Sequence, residues 1–167
     1  ILTREIAKKF PSARIVGIDI TKSYLDVAKQ NSNSFDNISF VLDDAEKFKL
    51  DSKFDCITGS YLPKYCDPEI LVKNCITHLK PGGKIIFHDF TYPKNLAARG
   101  SWNIFLTFLR LVGYFIPSWK DALIGLPKLI RSTKWLDNYS DVMKKSGLKV
   151  NRQYLTYGTS AILTGTK

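Results

Sequence analysis

Short apolar runs alternate with helical patterns along this chain, and no other feature constrains its fold as much. Four runs have the length and composition of buried β-strands, and they cover residues 14–20, 38–42, 54–59 and 84–90. Three stretches have the helical spacing of apolar residues, and they cover residues 2–10, 23–31 and about 68–79. Strands that alternate with helices form a parallel sheet with helices on both faces. The sequence therefore predicts a doubly wound α/β fold.

The last part of the chain follows a different pattern. Residues 148–155 and 160–165 are strand-like, and residues 156–159, Thr-Tyr-Gly-Thr, join them as a hairpin connection. An antiparallel edge on a parallel sheet is common. We therefore expect a mixed sheet with a C-terminal antiparallel hairpin. The length of 167 residues predicts one domain that spans residues 1–167.

A long aromatic insertion, residues 91–137, lies between the fourth strand and the hairpin. It is predicted to be helical, with breaks at Pro117 and Pro127. Its apolar stretch from Trp102 to Trp119 is too short and too interrupted to span a bilayer. Three interpretations stay open: a cap with an apolar inner wall, an interfacial helix on a membrane, and a helix packed on the sheet as ordinary core. The cations that flank the stretch are Lys94, Arg99 and Lys120.

The charge and the cysteines narrow the class of protein. A formal net charge of +10 suits nucleic acid, an anionic membrane or an anionic substrate. The Lys and Arg residues are dispersed, with no run of five or more, which argues against a nucleic-acid tail. Cys56, Cys66 and Cys75 form no Cys-x-x-Cys pair. They predict reduced thiols in a cytoplasmic protein, with neither a disulfide nor a metal site.

Acidic residues follow the first two strands. Asp19 stands where a carboxylate can accept hydrogen bonds from both hydroxyls of a bound ribose, with Ile20 beside it. Such an acid lies roughly 20 residues after a glycine loop, which places that loop immediately before Ile1. At the next strand end, Asp44 can accept from an adenine amino group, and the small Ala45 leaves room for the ring. The alternatives are an acid at a helix start for Asp19 and a solvated loop acid for Asp44. Because the two acids occur together, all four residues are assigned to a cofactor site.

The third and fourth strands end in residues that could act on a substrate. Ser60 follows a glycine that permits close backbone approach, and it is assigned to the cofactor site. Asp89 and His88 are the candidates for a catalytic base. The alternatives are an acid that only orients a loop and a hydrogen-bonded histidine of the core or rim. The aromatic candidates for substrate binding are Tyr61, Tyr92, Phe105 and Phe108.

Several segments carry a resemblance to a known family. Residues 54–60 and 79–90, with the turn Lys-Pro-Gly-Gly, resemble the core of class I S-adenosylmethionine-dependent methyltransferases. Residues 89–93 are similar to the acid-Phe-Ser-x-Pro motif of the ubiquinone/menaquinone biosynthesis C-methyltransferase family, and residues 155–161 to its Leu-Thr-x-Gly-x-x-Ala ending. The resemblance spans nearly the whole chain. It implies a Rossmann-like methyltransferase sheet, S-adenosylmethionine as the cofactor, and a prenylated quinol as the methyl acceptor.

The chain also departs from that family. The family's first strand and glycine-rich loop are expected upstream of Ile1. Its Phe-Gly-Leu-Arg-Asn stretch, whose Arg has an acid/base role, is Ser-Tyr-Leu-Pro-Lys at residues 60–64, so Pro63 stands in the place of that Arg. In the family's tyrosine-rich helix, Leu126 and Lys128 stand where tyrosines are expected. These departures leave the acceptor open more than the fold or the cofactor.

We therefore predict a methyltransferase that acts on a lipophilic small molecule, by C-methylation of a demethylmenaquinol-like prenylated quinol, and that contacts a membrane surface. One alternative is a methyltransferase with another small or lipid substrate. Another is a non-catalytic domain that binds a lipid or a partner and lacks the cofactor loop. No nucleic-acid partner is predicted, since there is neither an Asn-Pro-Pro-Tyr motif nor an appended RNA-binding module. The match over residues 79–93 disfavours a nicotinamide oxidoreductase.

Overall fold

A computed structural model describes residues 1–116 and 120–167 of the chain. This part contains six α-helices and six β-strands. In chain order they are α1 (Leu2–Lys9), β1 (Ile15–Asp19), α2 (Lys22–Gln30), β2 (Ile38–Leu42), β3 (Phe54–Ser60), α3 (Pro68–Thr77), β4 (Leu79–Phe90), α4 (Leu96–Phe115), α5 (Lys120–Ser132), α6 (Trp135–Lys145), β5 (Lys149–Leu155) and β6 (Ser160–Thr166). They form two compact units, residues 1–49 and 50–167. That the chain behaves as one domain stays a prediction.

The first unit is built around the parallel pair β1 and β2. Their register runs from Ile15 opposite Ile38 to Asp19 opposite Leu42, and α2 connects them. Because the two strands are parallel, their carboxyl ends lie at the same edge. Thr21 occupies the N-cap position of α2, but its side chain makes no capping hydrogen bond. Its backbone N–H instead donates to the Asp19 carboxylate.

The second unit contains a four-stranded mixed sheet in the order β3-β4-β6-β5. The pair β3 and β4 is parallel, whereas β6 is antiparallel to both β4 and β5. The predicted α/β fold with a terminal antiparallel hairpin is therefore confirmed. Ser60 on β3 is the register partner of His88 on β4, so two predicted site residues lie side by side at one strand end.

The beginning of β4 differs from the prediction. The Lys-Pro-Gly-Gly segment was expected to separate a helix from a strand that starts at Lys84, but β4 already begins at Leu79, where it pairs with Phe54. Helix α3 ends at Thr77, so the turn residues belong to the first part of the strand. Gly82 has a φ of +73°, a conformation that L side chains rarely adopt, and this allows the irregular start.

The core of the second unit lies between its sheet and helices α3 and α6. Phe87 and Leu163 from the sheet and Tyr139 and Met143 from α6 are all at most 1% exposed. A Cβ atom at Gly165 would lie 2.9 Å from the Met143 sulfur, so the absence of a side chain there lets α6 approach β6 closely. This packing fixes β4 and β6, whose ends carry the candidate site.

The aromatic insertion is helical where it is described. Helices α4 and α5 pack against each other, and Leu106 and Ile130 are buried. The predicted break at Pro127 is wrong, because this residue lies inside α5 and is buried. A proline removes one helical hydrogen bond and crowds the preceding turn, but tertiary packing can offset that cost. Pro117 and Trp119 lie outside the described residues. No helix in the described part of the chain is long and apolar enough to cross a membrane.

Candidate active site

In the first unit, Asp19 lies at the shared edge of β1 and β2. Its Oδ1 accepts a hydrogen bond of 2.8 Å from the Thr21 backbone N–H. Its backbone carbonyl accepts from the Asp43 N–H at 3.2 Å, which ties the two strand ends together. The second carboxylate oxygen has no hydrogen-bond partner among the described residues. Asp19 is therefore oriented by one oxygen and able to accept hydrogen bonds through the other.

Asp44 lies at the same edge, one residue beyond Asp43. Its Oδ1 accepts from the Glu46 N–H at 2.9 Å, and its Oδ2 is 3.7 Å from the Lys47 ammonium. Both contacts are local, so they fix the carboxylate in the turn that starts at Ala45. The turn places this acid at the edge that also carries Asp19.

The groups at this edge match the chemistry of a nucleoside. Ile20 is 70% exposed directly after Asp19, although a large aliphatic side chain prefers burial. An apolar face beside two carboxylate acceptors suits a flat base whose amino group and ribose hydroxyls are hydrogen-bond donors. Asp19, Ile20, Asp44 and Ala45 thus fit the nucleoside part of the predicted cofactor.

In the second unit, Ser60 and His88 form a pair at the ends of β3 and β4. The Ser60 hydroxyl lies 2.9 Å from His88 Nδ1. This contact leaves Nε2 with no hydrogen-bond partner among the described residues. In the tautomer in which Nδ1–H donates to the Ser60 oxygen, Nε2 carries the lone pair and can take up a proton. Ser60 therefore orients the His88 ring, and the role of His88 as a base stays a prediction.

Asp89, the other predicted base, is enclosed. Its side chain is completely buried and forms an ion pair of 2.8 Å with the ammonium of Lys64, whose side chain is 2% exposed. The carboxylate also accepts from the backbone N–H groups of Phe90, at 2.8 Å, and of Lys64, at 3.3 Å. Three donors thus occupy it. A catalytic role for Asp89 stays a prediction, and the contacts seen are those of a structural carboxylate.

Lys64 is not among the site residues predicted from the sequence, although it contacts Asp89. It lies on a short 3-10 turn, Pro63–Tyr65, which directly follows the end of β3. The available signal was that Lys64, a cation, directly follows Pro63, which stands in the place of the family's Arg. The partner could not be inferred, because Asp89 is 25 residues away along the chain.

Aromatic rings connect His88 to the insertion. The Tyr61 ring lies edge-on to His88, with 5.1 Å between the centroids, and 5.0 Å from the Phe90 ring. Phe90 lies 5.8 Å from Trp102, which stacks on Phe105 at 5.3 Å. The rings therefore form a continuous apolar path from the end of β4 to α4.

The path reaches a cleft of about 760 Å³ between α4 and the connection from β5 to β6. Its lining residues are Asn95, Ala97, Ala98, Ser101, Trp102, Phe105, Thr156, Tyr157 and Thr159. Trp102 Nε1 is buried and has no hydrogen-bond partner among the described residues.

The two predicted phenylalanines are placed differently. Phe105 lines the cleft, whereas Phe108 is 60% exposed and is not part of that lining. Tyr92, the remaining aromatic candidate, donates from its hydroxyl to Asn103 Oδ1 at 3.2 Å, and the Arg99 guanidinium lies over its ring. The structure thus brings Tyr61 and Phe105 onto one path and ties Tyr92 to α4.

The chain is similar to known methyltransferases. Residues 2–115, more than half of the chain, match the family described as "Methyltransferase domain". One relative is the ubiquinone/menaquinone biosynthesis C-methyltransferase UbiE of Hahella chejuensis. It is 28% identical over an alignment of 177 positions, which covers 99% of this chain and 71% of that protein.

Solved structures share the fold. The pyocyanin biosynthetic protein PhzM superposes with a TM-score of 0.69 at 18% identity, over 99% of this chain and 46% of that one. The N-methyltransferase NodS of Bradyrhizobium japonicum, in complex with S-adenosyl-L-homocysteine, superposes with a TM-score of 0.53 at 15% identity, over 92% of this chain and 66% of that one. The chain spans about half the length of several solved structures that it matches.

Proposed function

Because the chain belongs to the methyltransferase domain family, we propose that it transfers a methyl group to a lipophilic acceptor, the ring carbon of a prenylated, demethylmenaquinol-like quinol. The expected class, an S-adenosylmethionine-dependent methyltransferase, agrees with this membership. The expected cofactor is S-adenosylmethionine. Its demethylated product is bound in a solved structure of the same fold, which agrees with this expectation. The acceptor is the proposed part, supported by the similarity to the UbiE protein and by the aromatic cleft.

The residues at the edge of the first unit would hold the cofactor. S-adenosylmethionine supplies a methyl group already activated on a sulfonium. Asp19 would accept hydrogen bonds from the ribose hydroxyls through its unoccupied oxygen, and Asp44 would accept from the adenine amino group. Ile20 and Ala45 would give the base an apolar surface. Ser60, which the sequence assigned to the cofactor, is instead proposed to orient His88.

The observation that carries the proposed acceptor is the aromatic path from His88 to the cleft. A prenylated quinol has a reactive ring and a hydrocarbon tail, so it needs a polar group at one end of its site and an apolar wall along the rest. His88 and Tyr61 supply the first part, and Trp102 and Phe105 supply the second. One continuous surface of the second unit therefore matches both parts of the substrate.

His88 is the proposed base. A ring carbon becomes nucleophilic when the neighbouring hydroxyl loses its proton. His88 Nε2 can receive that proton while Ser60 holds Nδ1, whereas the Asp89 carboxylate is enclosed by its ion pair. The remaining work of the protein is to position the acceptor and exclude water, to which an apolar path is suited.

Contact with a membrane is proposed for the outer face of α4. Its large apolar side chains recur at helical spacing and are 55–85% exposed. They are Ile104, Phe108, Leu111 and Phe115, which we call the outer stripe. An exposed apolar stripe on a helix is typical of helices that lie in a membrane interface. A lipophilic acceptor would be collected there and received by the cleft near the start of the same helix.

The experiment compares two matched substitutions, Phe105→Ser and Phe108→Ser, in the full-length protein. Turnover of a long-tailed and a short-tailed demethylnaphthoquinol is measured in detergent, so that membrane binding does not contribute. Phe105→Ser should lower the preference for the long tail by about tenfold, which corresponds to about 1.4 kcal/mol of lost apolar contact. Phe108→Ser should leave that preference unchanged. Equal preferences in wild type and both variants would contradict the tail cleft.

A second candidate is methyl transfer to a different lipophilic hydroxyaromatic compound. It is favoured by Lys64, which lies in the stretch where the sequence departs from the quinone family and forms an ion pair with Asp89. Turnover of a tailed monophenol with no turnover of the quinols would select this candidate.

A further inference from the structure

Lys64 is a buried cation for which the proposed reaction gives no role. Its ammonium lies 2.8 Å from Asp89 Oδ1 and donates to the Tyr61 carbonyl, also at 2.8 Å. It lies 4.5 Å from the centroid of the Tyr65 ring and 5.4 Å from that of the Tyr61 ring. Burying an ion pair costs desolvation, and such a pair is weak evidence for stability by itself. The contact with Tyr61 indicates what the pair achieves.

Tyr61 has an unusual backbone conformation at the end of β3. Its φ is +60°, in the left-handed region that a bulky residue rarely adopts. Two hydrogen bonds hold it there: its N–H donates to the His88 carbonyl at 2.8 Å, and its carbonyl accepts from Lys64. Strained backbone persists only where its surroundings impose it. Here the conformation places the Tyr61 ring between His88 and Phe90.

We propose that Lys64 is a positioning residue, which holds Tyr61 in the left-handed conformation so that its ring forms the wall beside His88 that orients the acceptor. Asp89 neutralises the Lys64 ammonium in the interior and accepts no proton from the substrate. The effect on turnover that we infer rests on the proposed function. The structural part of the inference, the dependence of the Tyr61 ring position on Lys64, is independent of the substrate.

The structural part can be measured by proton NMR, because the chain contains only two histidines. The edge-on Tyr61 ring shifts the carbon-bound imidazole protons of His88. In Lys64→Met these signals should move towards those of a histidine without a neighbouring ring. His78 is an internal control, since its ring is held by the Asn74 carbonyl and the Leu50 N–H. Unchanged His88 signals would overturn the proposal.

A double variant, Lys64→Met with Asp89→Leu, separates positioning from stability. Removing one partner leaves an unpaired buried charge, whereas removing both does not. The double variant should therefore regain the melting temperature that Lys64→Met loses, while its kcat stays on the order of 10- to 100-fold below wild type and its KM for S-adenosylmethionine is unchanged. If Lys64→Met does not fold, the NMR measurement is made on the double variant instead.

The outcomes are distinguishable from a failure of the proposed function. Recovery of both melting temperature and kcat in the double variant would show that the pair is only structural and would overturn the inference. A low kcat with unchanged His88 signals would assign the effect to Asp89 itself, and would overturn it too. No methyl transfer by the wild-type protein to any tailed quinol would contradict the proposed function, while the NMR comparison would still decide the role of Lys64.

Discussion

The acids at the carboxyl ends of β1 and β4, Asp19 and Asp89, differ in how many hydrogen bonds their oxygens accept. Asp19 is only partly buried, has one local backbone partner and keeps one oxygen unoccupied. Asp89 is fully buried and has three donors, one of them a cation. An acid with an accessible, unoccupied oxygen can bind a ligand, whereas a fully buried acid that is paired with a cation stabilises the structure around it. Both come at the end of an apolar run in the sequence, so only their neighbours in space distinguish the two acids.

Substitution of Asp19 tests the cofactor edge. Asp19→Ala removes an acceptor for the ribose hydroxyls and should weaken binding of S-adenosylhomocysteine by about 1.5–3 kcal/mol, or roughly 10- to 150-fold. Titration calorimetry of the full-length protein measures the effect. Asp26→Ala is the matched control, because Asp26 lies on α2 in an exposed ion pair with Lys22. Equal affinities for wild type and Asp19→Ala would remove Asp19 from the site.

Cys75 provides a test of burial in the second unit. It is buried between α3 and its neighbours, and burial raises the pKa of the Cys75 thiol to about 12. The reactive thiolate therefore forms only well above neutral pH, so iodoacetamide at about pH 8 should label the exposed Cys56 and leave Cys75 unmodified. Mass spectrometry identifies the labelled peptides. In guanidinium chloride all three cysteines should react, and labelling of Cys75 at the same rate before and after denaturation would contradict the packing described here.

At the scale of elements, the sequence predicted what depends on local patterning. Strands β1 to β3 and the terminal hairpin occur close to the predicted positions, because their apolar composition and the turn at residues 156–159 are local signals. The early start of β4 and the continuation of α5 through Pro127 were missed. In both, a turn or breaker signal is overridden by pairing or packing with segments distant in sequence.

In the candidate site, too, local sequence patterns indicated some residues, whereas contacts between distant segments could not be predicted. The strand-end acids and His88 could be predicted as candidates because the carboxyl ends of parallel strands carry ligand sites in open α/β sheets, and their roles stay predictions. The Lys64–Asp89 pair and the aromatic path were not found, since each joins residues from separate elements. Phe105 and Phe108 were both predicted to bind the substrate, but Phe105 lines the cleft, whereas Phe108, almost one turn further along α4, is not part of its lining.

The outer stripe of α4 gives the prediction at this scale. A double variant, Phe108→Ser with Phe115→Ser, should bind vesicles of mixed phosphatidylcholine and phosphatidylglycerol at least about tenfold more weakly, because each lost phenyl group forfeits apolar burial. Vesicle sedimentation measures the partition. Phe10→Ser, at a phenylalanine that is 53% exposed on the first unit, is the control and should have no effect. Unchanged binding by the double variant would exclude the stripe as the membrane contact.

At the scale of the whole molecule, the distribution of charge supports the proposed membrane contact of the segment that carries the outer stripe. Residues 91–137 contain seven Lys and Arg residues and two acids, so this segment carries half of the net charge of +10. The exposed apolar stripe belongs to that segment. Anionic headgroups attract basic segments near an apolar contact, at about 1 kcal/mol for each Lys or Arg close to the surface. Charge and apolar area in one segment thus favour an anionic membrane over a neutral one.

Salt should separate these two contributions. Raising the ionic strength from about 0.05 to about 0.5 M shortens the Debye length severalfold, which screens exposed charges but leaves apolar contacts intact. Binding of the wild-type protein to the anionic vesicles should fall at least about tenfold, and the weaker binding to pure phosphatidylcholine vesicles should not fall. The double variant of the outer stripe should show the same relative loss with salt from a lower starting affinity, because its cations are unchanged. Binding to anionic vesicles that does not respond to salt, or equal binding to both kinds of vesicle, would contradict the electrostatic part of this surface.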